Sequence, residues 1–499
     1  MAMSSPENVI TDYKSLPPLP IGQPELILML QPGLEHVLSS SQQLISSKED
    51  LTNIHGVLDR HGASMALLFG TTEERLRQPQ LAAHGKRAFP ATYAYEEDLS
   101  TFYRVHAKAD SLETIAAELR KDPQVRAAYV KPGGSPPVIL AEKLLVKKEA
   151  VAPSTTPNFV ERQGYLNPAP EGIDSIKYAN YLVGGQGEGI RIVDCEWGWR
   201  FTHEDLLEYD GGLIAGTATT NEDFVNHGTA VTGILGGDVN AYGVTGICPR
   251  ATIFTSSFWD QSTSTAIKAA ADRLGPRDII LLEIHRSGPR ATGNGQEGYI
   301  PIEWWPDDFA AIKYATSKGI TVVEAAGNGG ENLDDPIYDA RPSYFPADWT
   351  NPFNPANPSS DAILVGAGAP PPGTHGVDYG PDRSRLWYSN YGARVDAQGW
   401  GYEVTTTGYG WLQGGPSADL WYTDGFSGTS SASPIVTGAL ACVQGILKDF
   451  DRRPLSPTES RSILRKTGSS QQDGYWGPVA QRIGNRPNIR EMLQAALNR

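Results

Sequence analysis

Residues 425–434 read GFSGTSSASP, and an apolar run that includes Ile435, Val436 and Leu440 follows them. The glycines and small side chains predict a tight turn that opens a buried helix, with Pro434 in its first turn, where the missing N–H is harmless. A helix N-terminus directs free N–H groups toward negative charge, so a serine there suits nucleophilic attack. The alternative is an ordinary N-capped helix, because serine and threonine are favoured at N-caps.

Length and composition exclude several classes of protein. The chain has 499 residues, which predicts two or more structural units. Hydrophobic residues make up 39% and charged residues 20%, which is typical of a globular protein with a sizeable core. The net charge of −15 argues against a nucleic-acid partner, because such proteins usually carry a basic face. We also expect no membrane partner, since no window approaches a membrane span.

The cysteines and the N-terminus bear on the compartment. Cys195, Cys248 and Cys442 cannot all pair and form no CxxC motif, which excludes a disulfide-dense secreted scaffold. The first 20 residues lack the charged-then-apolar pattern of a secretory signal. Two compartments therefore stay open: the cytoplasm, or secretion with a leader missing from this sequence.

A flexible tail at 1–20 and a small α+β domain at 21–131 are predicted first. Apolar runs and helical periodicity alternate in the order β-α-β-β-α-β, which is the ferredoxin-like arrangement. Residues 110–113 have the form of a capping box, and the polar segment 71–97 reads as an insertion. The predicted strands are 25–30, 64–69, 101–105 and 124–130, and the predicted helices begin near 48 and 112.

A linker at 132–157 and a larger domain at 158–499 complete the predicted organisation. Glycine, proline, serine and threonine are frequent in the linker. In the larger domain, short continuous apolar strands alternate with helical segments, which predicts an α/β fold with a mostly parallel sheet flanked by helices. The predicted strands are 189–193, 278–282, 320–323 and 362–365, and the predicted helices include 264–274 and 307–317.

Four polar residues at the ends of predicted elements form a candidate catalytic set. Asp194 follows the first strand of the larger domain, His227 opens a helix beside a glycine, and Asn328 lies between glycines after another strand. With Ser430 they supply an orienting carboxylate, a base, an amide donor for an oxyanion and a nucleophile. Each residue alone is more simply a cap, a turn residue or a core residue, but the four together favour catalysis.

The segments around these residues resemble the subtilisin-like serine peptidases of the subtilase family. They read IVD at 192–194, HGT at 227–229, AGN at 326–328 and GTS at 428–430, in the order Asp, His, Ser that subtilisin has. The resemblance covers about residues 156–499. It implies a serine endopeptidase in which Asp194 orients His227, Ser430 attacks the peptide bond and Asn328 stabilises the oxyanion.

The resemblance also implies a self-processing zymogen. Residues 21–131 would be a propeptide that assists folding and inhibits the enzyme through a tail lying in the cleft, with the cut between 131 and 157. A plain accessory domain is the alternative. Protein or peptide substrates are implied, no cofactor is required for the chemistry, and structural calcium is compatible with the family, with Asp334 and Asp335 as candidate carboxylates.

Two departures from the family pattern leave substrate preference open. The usual Ser/Thr-Gly after the catalytic aspartate is replaced by CEWGW at 195–199. The strand expected to pair with substrate is unusually polar, and its candidate substrate-binding residues are Glu283, His285, Ser287 and Gly288. Glu283 reads equally well as a buried, paired structural residue. A catalytically restricted regulatory or binding module is therefore the second function class, against which the complete set of four argues.

Overall fold

The computed structural model describes residues 12, 14, 21–33, 36–38, 44–46, 50–70, 97–139 and 155–499. Three predicted segments lie largely outside the described residues: the N-terminal segment 1–20, the insertion at 71–97, and residues 140–154 of the linker. Within them, residues 21–131 form one small α+β unit and residues 158–499 carry a large parallel sheet.

The small unit has the predicted ferredoxin-like topology. Its elements are β1 (Glu25–Leu30), β2 (His36–Leu38), β3 (Leu44–Ser46), α1 (Thr52–His61), β4 (Ser64–Leu67), β5 (Phe102–His106), α2 (Leu112–Leu119) and β6 (Val125–Lys131). The antiparallel sheet has the strand order β4-β5-β1-β6, and the two helices follow the first and third of these strands along the chain. A short hairpin, β2–β3, lies outside this sheet.

Strand alternation explains how the small unit is attached. In β1, Leu26 and Leu28 pack with the helices of their own unit, whereas Ile27 and Met29 pack into the core of the large unit. Successive side chains of a strand point to opposite faces, so β1 is apolar from Leu26 to Leu30 and buried along its whole length. The predicted capping box at residues 110–113 does not cap α2: the N-cap is Ser111 rather than Asp110, and its hydroxyl donates to the Lys108 carbonyl and makes no cap bond.

The large unit is organised by a seven-stranded, all-parallel sheet. The strands of this unit and of the segment leading to it are β7 (Gly134–Ser135), β8 (Arg191–Glu196), β9 (Gly212–Ala215), β10 (Thr252–Ser257), β11 (Ile279–Leu282), β12 (His285–Ser287), β13 (Tyr299–Pro301), β14 (Thr321–Ala325), β15 (Ile363–Gly368), β16 (Val395–Trp400), β17 (Val404–Thr407) and β18 (Tyr422–Phe426). The parallel sheet has the order β16-β15-β14-β11-β8-β10-β9. Its central strands are buried on both faces, which explains their continuous apolar sequence.

The helix predicted from residues 425–434 is the longest among the described residues and packs against β11, β14, β15 and β16. It begins at Thr429 after the N-cap Gly428, so Pro434 lies in its second turn rather than the first, and no side chain caps it. The helices of the large unit are α3 (Glu222–Gly236), α4 (Thr263–Arg273), α5 (Pro306–Ser317), α6 (Thr429–Asp449, the helix just described), α7 (Pro457–Lys466) and α8 (Ile489–Leu497).

By length and composition, α6 could cross a membrane, so the expectation that no window approaches such a span was wrong for it. The apolar window is nevertheless completely buried inside the protein, as in the core helix of a globular domain.

Candidate active site

The structure brings His227 and a glutamate together. β8 ends at Glu196, and His227 lies in the second turn of α3, whose N-terminus Asn221 caps by accepting the N–H groups of Asp223 and Phe224. His227 Nδ1 lies 2.6 Å from Glu196 Oε2, and both side chains are fully buried. This is the geometry in which a carboxylate fixes the tautomer and orientation of an imidazole.

Asp194 is not the carboxylate on His227, which corrects the sequence prediction. Its Oδ2 accepts a hydrogen bond of 2.7 Å from Trp199 Nε1, and its Oδ1 has no hydrogen-bond partner in the described parts of the chain. Because residues 194 and 196 share one face of β8, both point to the same side of the sheet, but only Glu196 meets the imidazole. Sequence reasoning missed Glu196. Gly198 follows it at the same spacing as the glycine of the usual Asp-Ser/Thr-Gly pattern.

Burial controls the charge state of this pair. It lowers the pKa of His227 to about 3, so the imidazole is uncharged at neutral pH. Burial also raises the pKa of Glu196 well above its usual range. His227 Nε2 itself is buried and makes no hydrogen bond to any described residue, which leaves it available for a reacting group.

Ser430 lies in the first turn of α6, beside Asn328. Asn328 Oδ1 accepts two hydrogen bonds of 2.9 Å, one from the backbone N–H and one from the hydroxyl of Thr429. The Nδ2 group of Asn328 therefore points away from Thr429. That Nδ2 donates to Gln296 Oε1 at 3.0 Å. The amide donor predicted at Asn328 and the predicted nucleophile Ser430 therefore belong to one buried site, with Gln296 as a further member that sequence reasoning missed.

A second buried carboxyl group lies close to the predicted nucleophile, Ser430. Glu283 Oε1 accepts a hydrogen bond of 2.5 Å from Ser433 Oγ, one turn beyond Ser430 in α6. Burial, and then the charges of Glu196 and Asp194, raise the pKa of Glu283 well above its usual range, while the Ser433 and Ser430 hydroxyls lower it. Glu283 is fully buried, as in the structural alternative, and lies next to the catalytic candidates.

The other three candidate substrate-binding residues differ in what they contact. His285, in β12, pairs with Ser135 of β7, and its Nδ1 accepts the Asn328 backbone N–H at 3.2 Å. Ser287 pairs with Tyr299 of β13 instead, and Gly288 donates its N–H to the Gly298 carbonyl. Of these three residues, only His285 pairs with a segment that precedes the large unit, β7.

That segment is part of the predicted linker. Residues 134–139 run from β7 past the N-terminus of α6, and the Ser430 backbone N–H donates to the Pro137 carbonyl at 3.1 Å. Ser430 and Val138 are both buried. We call residues 132–139 the tail.

The candidate calcium carboxylates are engaged by protein groups. Asp334 accepts the N–H of Ala393 with both oxygens, at 2.9 and 3.0 Å. Asp335 accepts the N–H of Ile337 and pairs with Arg290 at 2.6 Å. Among the described residues no cluster of three or more histidine, cysteine, aspartate or glutamate side chains is arranged to hold a metal ion.

Comparison with known proteins agrees with this architecture. The model of the Subtilase family matches residues 202–479, a range that begins after both Asp194 and Glu196. The thermophilic serine proteinase of Bacillus sp. (strain AK1) is 29% identical over 303 residues, which are 58% of this chain and 60% of that protein. Subtilisin Savinase of Lederbergia lenta is 26% identical over 306 residues, 60% of this chain and 91% of that protein.

One solved structure covers nearly the whole chain. Fervidolysin of Fervidobacterium pennivorans, described as a keratinolytic enzyme related to subtilisin, aligns with 98% of this chain and 65% of its own, with a TM-score of 0.52 and 15% identity. At that identity the likeness supports the fold alone.

Proposed function

The chain is a serine peptidase that belongs to the subtilase family, and we propose that it is an endopeptidase acting through an acyl-enzyme on Ser430. His227 serves as the base, Glu196 holds the imidazole, and Asn328 with the Ser430 N–H donates to the oxyanion. The observation that carries this assignment is the 2.6 Å contact between His227 Nδ1 and Glu196 Oε2, with Nε2 left without a partner among the described residues.

The proposed roles follow the chemistry of acyl transfer by a serine, a histidine and an orienting carboxylate. His227 Nε2 takes the Ser430 hydroxyl proton as Oγ attacks the carbonyl carbon, and later gives it to the leaving amine. The negative charge that develops on the carbonyl oxygen meets the Ser430 N–H and the Asn328 amide, which are fixed before the reaction begins. Protein or peptide chains are the substrates, and the chemistry needs no cofactor.

We further propose that the protein is made as a zymogen, with residues 21–131 as its propeptide and 158–499 as its peptidase domain. Lys131, at the end of β6, is fully buried and contacts Asp307 and Asp308 at the N-terminus of α5. Tyr129 donates to Asp307 at 2.9 Å. A contact of this kind keeps the small unit on the peptidase domain and delivers the tail to the cleft.

One observation favours the second candidate function, a catalytically restricted regulatory or binding module. The tail covers Ser430, whose exposed fraction is 0%. A chain that never loses this cover would bind its own segment and hydrolyse nothing. The two candidates therefore differ in whether Ser430 ever becomes reactive.

A fluorophosphonate probe tests the proposal on the full chain. We expect the wild type and Ser431→Ala to be labelled, and Ser430→Ala to remain unlabelled. Ser431 is the matched control, because its hydroxyl is adjacent in sequence but donates to the Trp400 carbonyl at 2.8 Å. Labelling of Ser430→Ala at the wild-type rate, or a wild type that stays unlabelled after residues 1–157 are removed, would contradict the endopeptidase proposal.

A further inference from the structure

The tail crosses the candidate active site in a defined register. β7 pairs antiparallel with β12, with Ser135 opposite His285 and Gly134 opposite Arg286. After this pairing, the Pro136 carbonyl accepts a hydrogen bond of 2.8 Å from Gln296 Nε2. Hydrogen bonds thus hold the tail on the N-terminal side of Pro137.

The tail is held equally on the other side of Pro137. The Ser427 hydroxyl donates to the Ile139 carbonyl, and Ile139 is fully buried among apolar side chains. Val138 between them is also buried, in the apolar cluster that includes residues of α6. The chain therefore passes through the cleft on both sides of the Pro137 carbonyl, as an uncut substrate would.

The Pro137 carbonyl oxygen contacts one of the two proposed oxyanion donors. It accepts the Ser430 N–H at 3.1 Å. Gly428, with φ of 95°, leaves the space for it: a Cβ on Gly428 would stand 2.1 Å from that oxygen and 3.0 Å from Asn328 Nδ2. The oxygen and the amide donor therefore border the same small gap, which a side chain at Gly428 would fill.

We propose that Pro137–Val138 is the bond that this enzyme cuts in its own chain, and that its cleft selects substrates with proline before the cut bond. This inference rests on the proposed function, since it names the substrate class of the same site. It replaces the window implied by the family resemblance, residues 131–157, with one bond.

The conformation of the tail explains why proline is selected. The Val138 N–H donates to the Pro136 carbonyl at 2.9 Å, which closes a three-residue turn centred on Pro137. Such a turn needs a φ of about −75° at its central residue. The proline ring fixes φ near that value, so little conformational entropy is lost when the segment binds. The pairing with β12 ends at Ser135 because Pro136 and Pro137 have no N–H to donate.

The proposed step is an ordinary acyl transfer. Ser430 Oγ forms a bond to the Pro137 carbonyl carbon while its proton passes to His227 Nε2, and the carbon–nitrogen bond to Val138 then breaks. His227 returns the proton to the Val138 nitrogen, which becomes a free amine. Water hydrolyses the Pro137 ester on Ser430, which releases a carboxyl group at Pro137 and regenerates the serine.

Mass spectrometry and N-terminal sequencing of the purified full chain test the bond. We expect a product that begins at Val138 in the wild type and an uncut chain in Ser430→Ala. Val138→Pro, which removes the leaving N–H, should leave the bond intact, whereas Pro132→Ala, outside the turn, should be cut as in the wild type. A product beginning at any other residue, or an uncut wild type, overturns the proposal.

Short peptides test the specificity separately. Fluorogenic Ser-Pro-Pro should exceed Ser-Pro-Ala in kcat/KM by about two- to fivefold, the factor that corresponds to the backbone entropy that a proline removes, about 0.4–1 kcal/mol. Equal or faster cleavage of Ser-Pro-Ala or Ser-Pro-Phe overturns it. Fluorophosphonate labelling of Ser430 separates the outcomes: a labelled enzyme that fails these tests loses only the proline assignment, and an unlabelled one loses the proposed function as well.

Discussion

His227 Nδ1 lies 2.6 Å from Glu196 Oε2, two residues beyond the aspartate that the sequence motif indicates. Residues 194 and 196 of β8 face the same side of the sheet, so either carboxyl group could have been aimed at the imidazole. Trp199 Nε1 donates a hydrogen bond to Asp194 Oδ2, so Asp194 is already engaged and Glu196 contacts the imidazole. The longer glutamate side chain therefore holds the histidine at the end of the strand.

The first prediction compares two isosteric substitutions. Glu196→Gln should lower kcat by about 10⁴-fold, the cost of losing the orienting carboxylate of a triad. Asp194→Asn should cost far less, because the carbonyl oxygen of the introduced amide can still accept the Trp199 N–H. Both variants are compared by kcat on one peptide substrate, and a larger loss in Asp194→Asn would return the orienting role to Asp194.

The second prediction concerns the oxyanion donor. Asn328→Ala should lower kcat by about 10²–10³-fold with little change in KM, the magnitude known for the corresponding subtilisin asparagine, because the donor acts on charge that develops in the transition state. Asn354→Ala, on a loop away from the site, is the control. A rise in KM with unchanged kcat would instead indicate that Asn328 only binds the substrate.

The third prediction is a dependence of stability on pH. Burial, with Glu196 and Asp194 as the next cause, raises the pKa of Glu283, so the folded protein binds a proton there that the unfolded chain gives up at lower pH. The stability that this proton contributes is complete below the pKa of a glutamate in the unfolded chain, about 4.3. It is lost as the pH rises toward the pKa of Glu283 in the folded protein. Glu283→Gln, which is always neutral, should therefore be more stable than the parent at pH 7.

The measurement is the thermal midpoint between pH 4 and pH 8 in a Ser430→Ala background, which prevents self-digestion. The advantage of Glu283→Gln should shrink toward pH 4, where the parent is also protonated. Glu208→Gln, at an exposed glutamate, should show no such trend. A Glu283→Gln midpoint below that of the parent at every pH would mean that Glu283 is ionised and needed as a charge.

The fold was largely readable from the sequence, because each main element carries its own periodic pattern. β1 alternates between two cores, and α6 is buried around its whole circumference from Thr429 to Leu447 because the parallel sheet and neighbouring helices surround it. Local capping was less predictable: residues 110–113 have the sequence of a capping box, but the N-cap is one residue later, at Ser111, whose hydroxyl donates to the Lys108 carbonyl. Short polar side chains have several backbone partners within reach, and the pattern does not choose among them.

The site was readable in its residue types and not in its contacts. His227, Asn328 and Ser430 each stand where a strand or helix terminus places them, beside glycines that the motif also contains. The partner of His227 depends on which carboxyl group is already engaged, and the position of the tail depends on pairing between residues far apart in the sequence, such as Ser135 and His285. Neither relationship leaves a local sequence signal.

The fourth prediction concerns Lys131, which joins the small unit to the peptidase domain. Burial lowers the pKa of this lysine, but Asp307, Asp308 and Glu25 more than offset it and keep the ammonium charged. Lys131→Met would leave the Asp307 carboxyl group buried without its cation, whereas Asp308 would keep Arg286, whose Nε lies 3.5 Å from its Oδ2. Breaking a buried ion pair in this way typically costs about 3–5 kcal/mol. We expect urea to unfold this variant at a lower concentration than the parent, both in the Ser430→Ala background.

Lys108→Met is the matched control, because Lys108 is exposed on the same unit and should change the free energy of unfolding by less than about 0.5 kcal/mol. If Lys131→Met also releases the small unit, the tail leaves the cleft with it, and Ser430 in the wild-type background should be labelled faster by a fluorophosphonate. A Lys131→Met protein as stable as the Lys108→Met protein would show that apolar packing of Ile27 and Met29 against the peptidase domain is sufficient, and that the buried ion pairs serve only to set the register of the tail.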